Sequence, residues 1–404
     1  MAQARPKGEP PMTLDWTGTL ALAAAILLAG RFLNAGLTPL ARYNIPQPIS
    51  GGLAFALLAA AVHAWSGLVV ETSAALRPPL LLAFFATVGL SADLGRLRKG
   101  GPKLLVFLAC VVPFLMLQNA VGVSFAILLD QHPLIGLLGG SVTLIGGHGT
   151  GAAYARIFEE THSLAGVMGL AMAAATIGLV LGGVVGGPVA QYLLRGRAAT
   201  AVRPVAGATE RVEPATTEGA ILTTCLVLFC LLLGGWLASL TQGLPVALPD
   251  FLWCLFAGVL VRNLVAPALR LPLSDTSIDL VGSTALALFL AMTMATIRLW
   301  ELAALAGPLM AIVAAQAVFA VLYAVIVVYR VMGRDYEAAV ATAGFLGFSM
   351  GATATAIANM QAVANRYGPA PVAFLVVPLT GAFFIDLANA LVLTGAITLP
   401  VFGE

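Results

Sequence analysis

The chain has 404 residues, of which 60% are hydrophobic and 9% charged, with a formal net charge of +2 at pH 7 and a mean hydropathy of +0.98. A soluble domain carries about 25% charged residues, so this composition excludes a soluble protein, gives no basic surface for nucleic acid, and requires a chain embedded in a membrane. Cys110, Cys225, Cys230 and Cys254 all lie in apolar runs, where no disulfide framework is implied, and His63, His132, His148 and His162 sit in separate segments without metal-ligand spacing.

In chain order, the first dozen residues are polar and proline-rich, with Arg5 and Lys7. The apolar run at about 14 to 30 lacks a convincing cleavage site and reads as a retained helix, a signal peptide being the other option. Spanning stretches follow at about 48 to 67, 77 to 95, 102 to 129 and 164 to 194, then at 219 to 240, 248 to 265, 277 to 297, 304 to 330 and 370 to 396. Each approaches or exceeds the ~20 residues needed to cross a bilayer. The polar, arginine- and proline-bearing stretch Arg195 to Glu218 reads as an exposed linker.

Two segments break this pattern. Gly139-Gly140-Ser141-Val142-Thr143-Leu144-Ile145-Gly146-Gly147-His148-Gly149-Thr150-Gly151 and Gly344-Phe345-Leu346-Gly347-Phe348-Ser349-Met350-Gly351-Ala352-Thr353-Ala354-Thr355 each dissolve an apolar run into glycine and hydroxyl residues. Bared backbone at that depth must be sheltered by protein or face a water-filled cavity. Sliding the chain against itself by roughly 202 to 206 positions aligns Gly101-Pro102 with Gly307-Pro308, Thr87 with Thr293, Gly149 with Gly351 and Asp130 with Asp335. Five spans and one broken segment per half give an odd number of crossings, so the halves are expected to be inverted repeats.

Charge supports this count when the N-terminus is outside. Cytoplasmic loops then hold Arg31, Arg42, Arg96, Arg98, Lys99, Lys103, Arg195, Arg197, Arg203, Arg211, Arg262, Arg270, Arg330, Arg334 and Arg366, leaving Arg5, Lys7, Arg77, Arg156 and Arg298 for the other face. Both termini are expected outside. The same bookkeeping requires the broken segments, about 131–160 and 335–366, to be re-entrant hairpins, since a single straight helix at 131–160 would reverse the parity of every later loop. The expected organisation is therefore a first repeat at 1–194, a cytoplasmic linker at 195–218 and a second repeat at 219–404.

A helix that starts at a hairpin tip offers unpaired N–H groups and a positive dipole end, which favour anions. The arm that ends there offers carbonyls which, with the hydroxyls of Ser141, Thr143, Ser349, Thr353 and Thr355, suit a small hard cation such as sodium. Close helix packing is the other use of such glycines. Asp386 lies deep in the last span, and an intramembrane carboxylate is functional by default. Asn389, three residues on, shares its helical face, so carboxylate and amide are expected to aim at one spot as a cation site or proton relay, or else to be structural. His148 can bind an anion, carry a proton or simply be satisfied, and Arg156 can meet a substrate carboxylate or pair with Glu159 or Glu160. Gln118, Asn119, Gln316, Asn359 and Gln361 are polar groups at depth that need partners.

Thr143-Leu144-Ile145-Gly146-Gly147-His148-Gly149-Thr150-Gly151-Ala152-Ala153, Gly351 through Met360, and Phe374-Leu375-Val376-Val377-Pro378 through Asp386 resemble bacterial sodium/glutamate symporters. So do Phe84 through Leu90, Gln118 through Gly122, Gly182 through Pro188 and Leu299 through Ala303, so the likeness covers nearly the whole chain outside the linker and the first dozen residues. The chain departs from the family pattern at Ala354, where proline is usual, and at Phe348-Ser349-Met350, where glycine is. The resemblance implies sodium-coupled import of L-glutamate across the bacterial inner membrane by a homodimer, with both hairpins on a transport domain that slides against a scaffold in an elevator-like motion. Another dicarboxylate or a 2-hydroxycarboxylate, with sodium or proton coupling, is the alternative cargo.

The fold class expected is thus an all-α polytopic membrane protein of two inverted repeats, each with five transmembrane helices and one re-entrant hairpin, working as an elevator-type transporter. Candidate substrate-binding residues are Ser141, Thr143, Gly147, His148, Gly149, Thr150, Gly151, Arg156, Ser349, Gly351, Thr353 and Asn359. Candidate sodium ligands are Asp386, Asn389, Thr355, Gln118 and Asn119. Sodium is expected as coupling ion, with no organic cofactor. A channel would need a continuous polar stripe, and a hydrolase a placed nucleophile; the sequence carries neither.

Overall fold

Each of the ten apolar stretches is helical in the computed structural model, which describes residues 12–42, 45–162, 164, 166–195, 214–240, 249–297 and 299–402. The linker expected at 195–218 lies outside the described residues over 196–213, as do Arg5, Lys7 and Arg298. The first half comprises β1 (Met12–Leu14), α1 (Trp16–Gly36), α2 (Thr38–Arg42), α3 (Gln47–Ser66), β2 (Val70–Thr72), α4 (Arg77–Ser91), α5 (Leu94–Leu128), α6 (Pro133–Leu137), α7 (Gly147–His162) and α8 (Val167–Leu193). The second comprises α9 (Thr217–Leu240), α10 (Asp250–Leu260), α11 (Ala266–Leu269), α12 (Asp275–Met294), α13 (Leu299–Tyr323), α14 (Tyr329–Val331), α15 (Tyr336–Ser349), α16 (Thr353–Tyr367), α17 (Pro371–Leu379) and α18 (Ile385–Ile397). Single π-turns join α10 to α11, α13 to α14 and α17 to α18, so each pair is one continuous helix. β1 and β2 form a three-residue parallel pair, Met12 opposite Val70.

Among the described residues, 8 helices are long and apolar enough to cross a membrane, and the protein is an integral membrane protein. α5 contributes its part from Gly101 onward. There the backbone leaves the helical region, at φ 61° and ψ −163°. Helix starts follow side-chain chemistry. The Asp15 carboxylate accepts from the Gly18 N–H at 2.7 Å to cap α1, and Asp335 accepts from the Ala338 N–H at 2.7 Å to cap α15. Asp130, aligned with Asp335 in sequence, takes no such role. It sits at φ 53°, and His132 Nδ1 accepts from the Leu134 N–H at 3.2 Å instead.

The helices sort into two packing groups, and each half supplies helices to both. α1 packs on α3 and α12, α4 on α10 and α12, and α9 on α10. α5 packs on α6, α13 and α17, while α8 packs on α7, α13, α15 and α16. Lipid tails are as apolar as leucine, so helices here associate through close packing rather than hydrophobic transfer. In the first group α4 and α10 meet backbone to backbone, since a Cβ added at Gly89 would lie 2.1 Å from the Leu255 carbonyl. In the second, aromatic side chains lock α15 to α5: the rings of Phe114 and Phe345 stand 4.9 Å apart, and those of Phe107 and Phe348 5.8 Å apart.

Candidate substrate and ion site

The two glycine-rich segments are helix breaks that meet each other. In the first, α6 runs on through a π-turn over 138–142, Gly140 leaves the helical region at φ −103° and ψ −136°, and the chain turns before α7. Gly147, the first residue of α7, sits at φ +61°, where a side chain would be strained. In the second, α15 stops at Ser349, the chain turns through Met350, Gly351 and Ala352, and α16 begins at Thr353 without a side-chain cap. A Cβ added at Gly147 would stand 4.0 Å from the Gly351 carbonyl, so the two tips are neighbours. The arms α7, α15 and α16 hold 16, 14 and 15 residues. At 1.5 Å per residue they reach about 21 to 24 Å, short of a ~30 Å hydrocarbon core.

α8 is the bed on which the second break lies. Its Gly178 faces the Met350 carbonyl so closely that an added Cβ would stand 2.4 Å away. Asn359 on α16 donates from Nδ2 to the carbonyls of Gly182, at 2.8 Å, and Ala343, at 3.3 Å. Gly347 is where α15 and α16 touch, an added Cβ falling 2.4 Å from the Ala356 Cα.

Between the tips and the other helix group lies a cavity of about 430 Å³, within the range of small-molecule pockets. Gly147, His148, Gly149, Gly351, Thr353, Thr355 and Asp386 line it from the break side, and Pro46, Phe84 of α4 and Ser283 of α12 line it from the other. Among the described residues, no lysine or arginine lines this cavity, and Asp386 is its one acidic group. His148 Nε2 is 3.0 Å from Thr176 Oγ1, and Thr353 Oγ1 donates to the Gly381 carbonyl at 2.8 Å. Thr355 Oγ1 is buried and has no hydrogen-bond partner. A larger groove of about 550 Å³, lined by Met116, Asn119, Leu391, Leu399 and Phe402, carries no charged group among the described residues.

A second polar feature lies off the cavity, inside one helix group. Asn119 Oδ1 accepts from the Ser141 N–H at 3.1 Å, and Asn389 Nδ2 donates to the Ser141 carbonyl at 3.0 Å. Gln118 Nε2 donates to the Ser349 carbonyl at 3.1 Å, and Gln316 Nε2 donates to the Gln118 carbonyl at 2.7 Å. These contacts tie the first break to α5 and α18 and the second to α5, which α13 holds in turn. They use every one of these residues yet leave Gln118 Oε1, Ser141 Oγ, Gln316 Oε1 and Asn389 Oδ1 buried without a partner, together with the Asn119 Nδ2 donor. Gln118, Ser141, Gln316 and Asn389 are all 0% exposed. A buried oxygen without a partner costs on the order of 1–3 kcal/mol, and several in one linked set are what a bound cation would satisfy. Neutral amide and hydroxyl oxygens suit a hard monovalent ion. Among the described residues no group of three His, Cys, Asp or Glu gathers to hold a metal.

The chain is similar to known proteins over almost its whole length. Residues 12–369 match the model of the family described as sodium/glutamate symporter. The sodium/glutamate symporter of Escherichia coli K12 is 45% identical over 396 residues, which is 96% of this chain and 99% of that protein. That of Haemophilus influenzae is 43% identical over 385 residues, 93% of this chain and 95% of its own length. The chain belongs to the sodium/glutamate symporter family. It is a transporter and not an enzyme.

Within this symporter-family chain the expected site residues divide. Gly147, His148, Gly149, Gly351, Thr353, Thr355 and Asp386 line the cavity, whereas Ser141, Gln118, Asn119 and Asn389 join the oxygen cluster, to which Ser349 lends its carbonyl. Thr143 Oγ1 donates to the Leu138 carbonyl at 2.6 Å, and Thr150 and Gly151 lie buried in α7 off the cavity. Asn359 pins α16 to α8, and Arg156 pairs with Glu160 at 2.7 Å, away from the cavity. The expectation that Asp386 and Asn389 aim at one spot is corrected: Asp386 faces the cavity and Asn389 the cluster. Three residues along a helix leave side chains about 60° and 4.5 Å apart, enough to serve two compartments. Gln316 belongs with Gln118; its depth in an apolar span was the signal, and only packing reveals that the two meet.

Proposed function

We propose that the protein imports L-glutamate with sodium across the bacterial inner membrane, by an elevator-like alternating-access motion. The observation that carries this reading is the cavity, bounded on one side by two helix tips and Asp386 and on the other by a separate helix group. N–H groups at the starts of α7 and α16, with the Thr355 hydroxyl, hold the cargo carboxylates. Sodium, carried as co-substrate, is held by Gln118, Ser141, Gln316 and Asn389, with Asn119 orienting Ser141. Because these residues also bind the backbones of both breaks, ion occupancy orders the tips that form the cavity. Co-bound sodium offsets the negative charge of glutamate, whose passage through hydrocarbon is otherwise prohibitive.

The broken segments act as re-entrant hairpins entering from opposite faces of two inverted repeats. The group holding α5 to α8 and α13 to α18 moves as the transport domain against α1, α3, α4, α9, α10 and α12. The family relationship supports a homodimer, and the arginine distribution supports termini on the periplasmic side. Purified protein in liposomes is expected to accumulate labelled glutamate only with sodium higher outside. Uptake indifferent to collapse of that gradient would refute the coupling, and preferential accumulation of another dicarboxylate or a 2-hydroxycarboxylate would refute the cargo.

A further inference from the structure

The charges around the cavity are arranged with one sign opposite the other. Two helix starts point into it, α7 at Gly147 and α16 at Thr353, and neither is neutralised by a capping carboxylate: Ala352 gives α16 no side-chain bond and α7 has no acid in its first turn. Thr355 Oγ1, on a residue 2% exposed, stands beside them without a partner. The two helix starts prefer an anionic group, and the hydroxyl is free to donate to one. Asp386 does the opposite. It carries a carboxylate into a cavity with no lysine or arginine in its lining, and no ion pair or hydrogen bond to it exists among the described residues. The oxygen cluster does not use it either, since Asn389 reaches that cluster from the neighbouring face of the same helix.

Asp386 is also held near the second tip. Thr353 Oγ1 donates to the Gly381 carbonyl, and the π-turn over 380–384 sets Asp386 about one turn beyond Gly381. A ligand with two carboxylates and no cation would place three negative charges in one low-dielectric space. A ligand with two carboxylates and one ammonium satisfies both helix starts and the acid together.

We propose that the Asp386 carboxylate receives the α-ammonium group of the cargo, and so sets the preference for an amino dicarboxylate over the same dicarboxylate without its amine. This rests on the reading of the cavity as the glutamate site, and it assigns Asp386 to cargo selection rather than to sodium.

The test compares wild type with Asp386→Asn in liposomes, using labelled L-glutamate uptake competed by unlabelled glutamate and by glutarate, which keeps both carboxylates and the chain but lacks the amine. The wild type is expected to favour glutamate strongly. Asp386→Asn is expected to narrow the glutamate-to-glutarate ratio by about 10- to 100-fold, the size of one charge-assisted hydrogen bond, while both ligands remain sodium-stimulated. An unchanged ratio, or loss of sodium stimulation for both ligands, would overturn the assignment. Should the variant not insert, Asp386→Glu and the wild-type ratio carry the test: glutarate competing as well as glutamate against wild type overturns the proposal outright. Wild type that takes up no glutamate at all overturns the functional reading beneath it, a distinct result.

Discussion

The cavity and the oxygen cluster are built from the same two helix breaks, yet they differ in every physical respect. The cavity lies between two helix groups, has a volume of about 430 Å³ and contains a charged side chain. The cluster lies within one group and is made of neutral amides and one hydroxyl, of which Gln118, Ser141, Gln316 and Asn389 are 0% exposed. The first suits a variable organic ion that must enter and leave, and the second a bare cation whose hydration shell is replaced by protein oxygen. Sharing the breaks makes the two interdependent: Ser141 and Ser349 present backbone to the cluster while the residues just beyond them line the cavity. Coupling between ion and cargo then needs no distant relay.

The severest way to break this arrangement is at the contact between the arms. Gly347→Val puts side-chain carbon where a Cβ already stands 2.4 Å from Ala356 Cα, so the second tip cannot form; uptake is expected to be lost and the thermal midpoint to fall, consistent with an overpacking cost of about 1–3 kcal/mol. Asn389→Ala separates the two sites instead. Removing one oxygen of the cluster is expected to raise the sodium concentration for half-maximal uptake about ten- to hundredfold, with little change in glutamate KM once sodium is saturating. Asn359→Ala removes two buried hydrogen bonds from α16, one to α8 and one to α15. It is expected to cost about 1–3 kcal/mol of stability, read as a lower melting point with sodium dependence intact. Arg156→Gln is the smallest. Arg156 and its partner Glu160 are 42% and 61% exposed, such pairs contribute less than ~1 kcal/mol, and glutamate KM should move less than about twofold.

The legibility of this molecule in its sequence was uneven for physical reasons. Apolar runs are unambiguous: all ten stretches are helical, and among the described residues 8 helices are long and apolar enough to cross, while Arg77–Ser91 holds 15 residues. The breaks were equally plain, because glycine and threonine cannot fill the middle of an apolar helix without cause. The partition into two helix groups was not legible from residue pattern. Helices in lipid are apolar on every side, so periodicity does not mark the face that packs. The three-residue pair of β1 and β2 is too short for any alternation. Asp386 and Asn389 looked like one site because helix spacing fixes direction only to within a broad sector. Gln118 and Gln316 signalled by their depth that partners were required, while the closing of the set by Ser141 Oγ depended on the turn geometry at Gly140.

The measurement that tests the separation of ion and cargo sites most directly is the thermal stabilisation of detergent-purified protein by sodium alone, with potassium as the control, in wild type, Asp386→Asn and Asn389→Ala. Sodium is expected to stabilise wild type and Asp386→Asn over the same concentration range, and Asn389→Ala only at about ten- to hundredfold higher sodium. An unshifted sodium midpoint in Asn389→Ala, or a shifted one in Asp386→Asn, would contradict the separation.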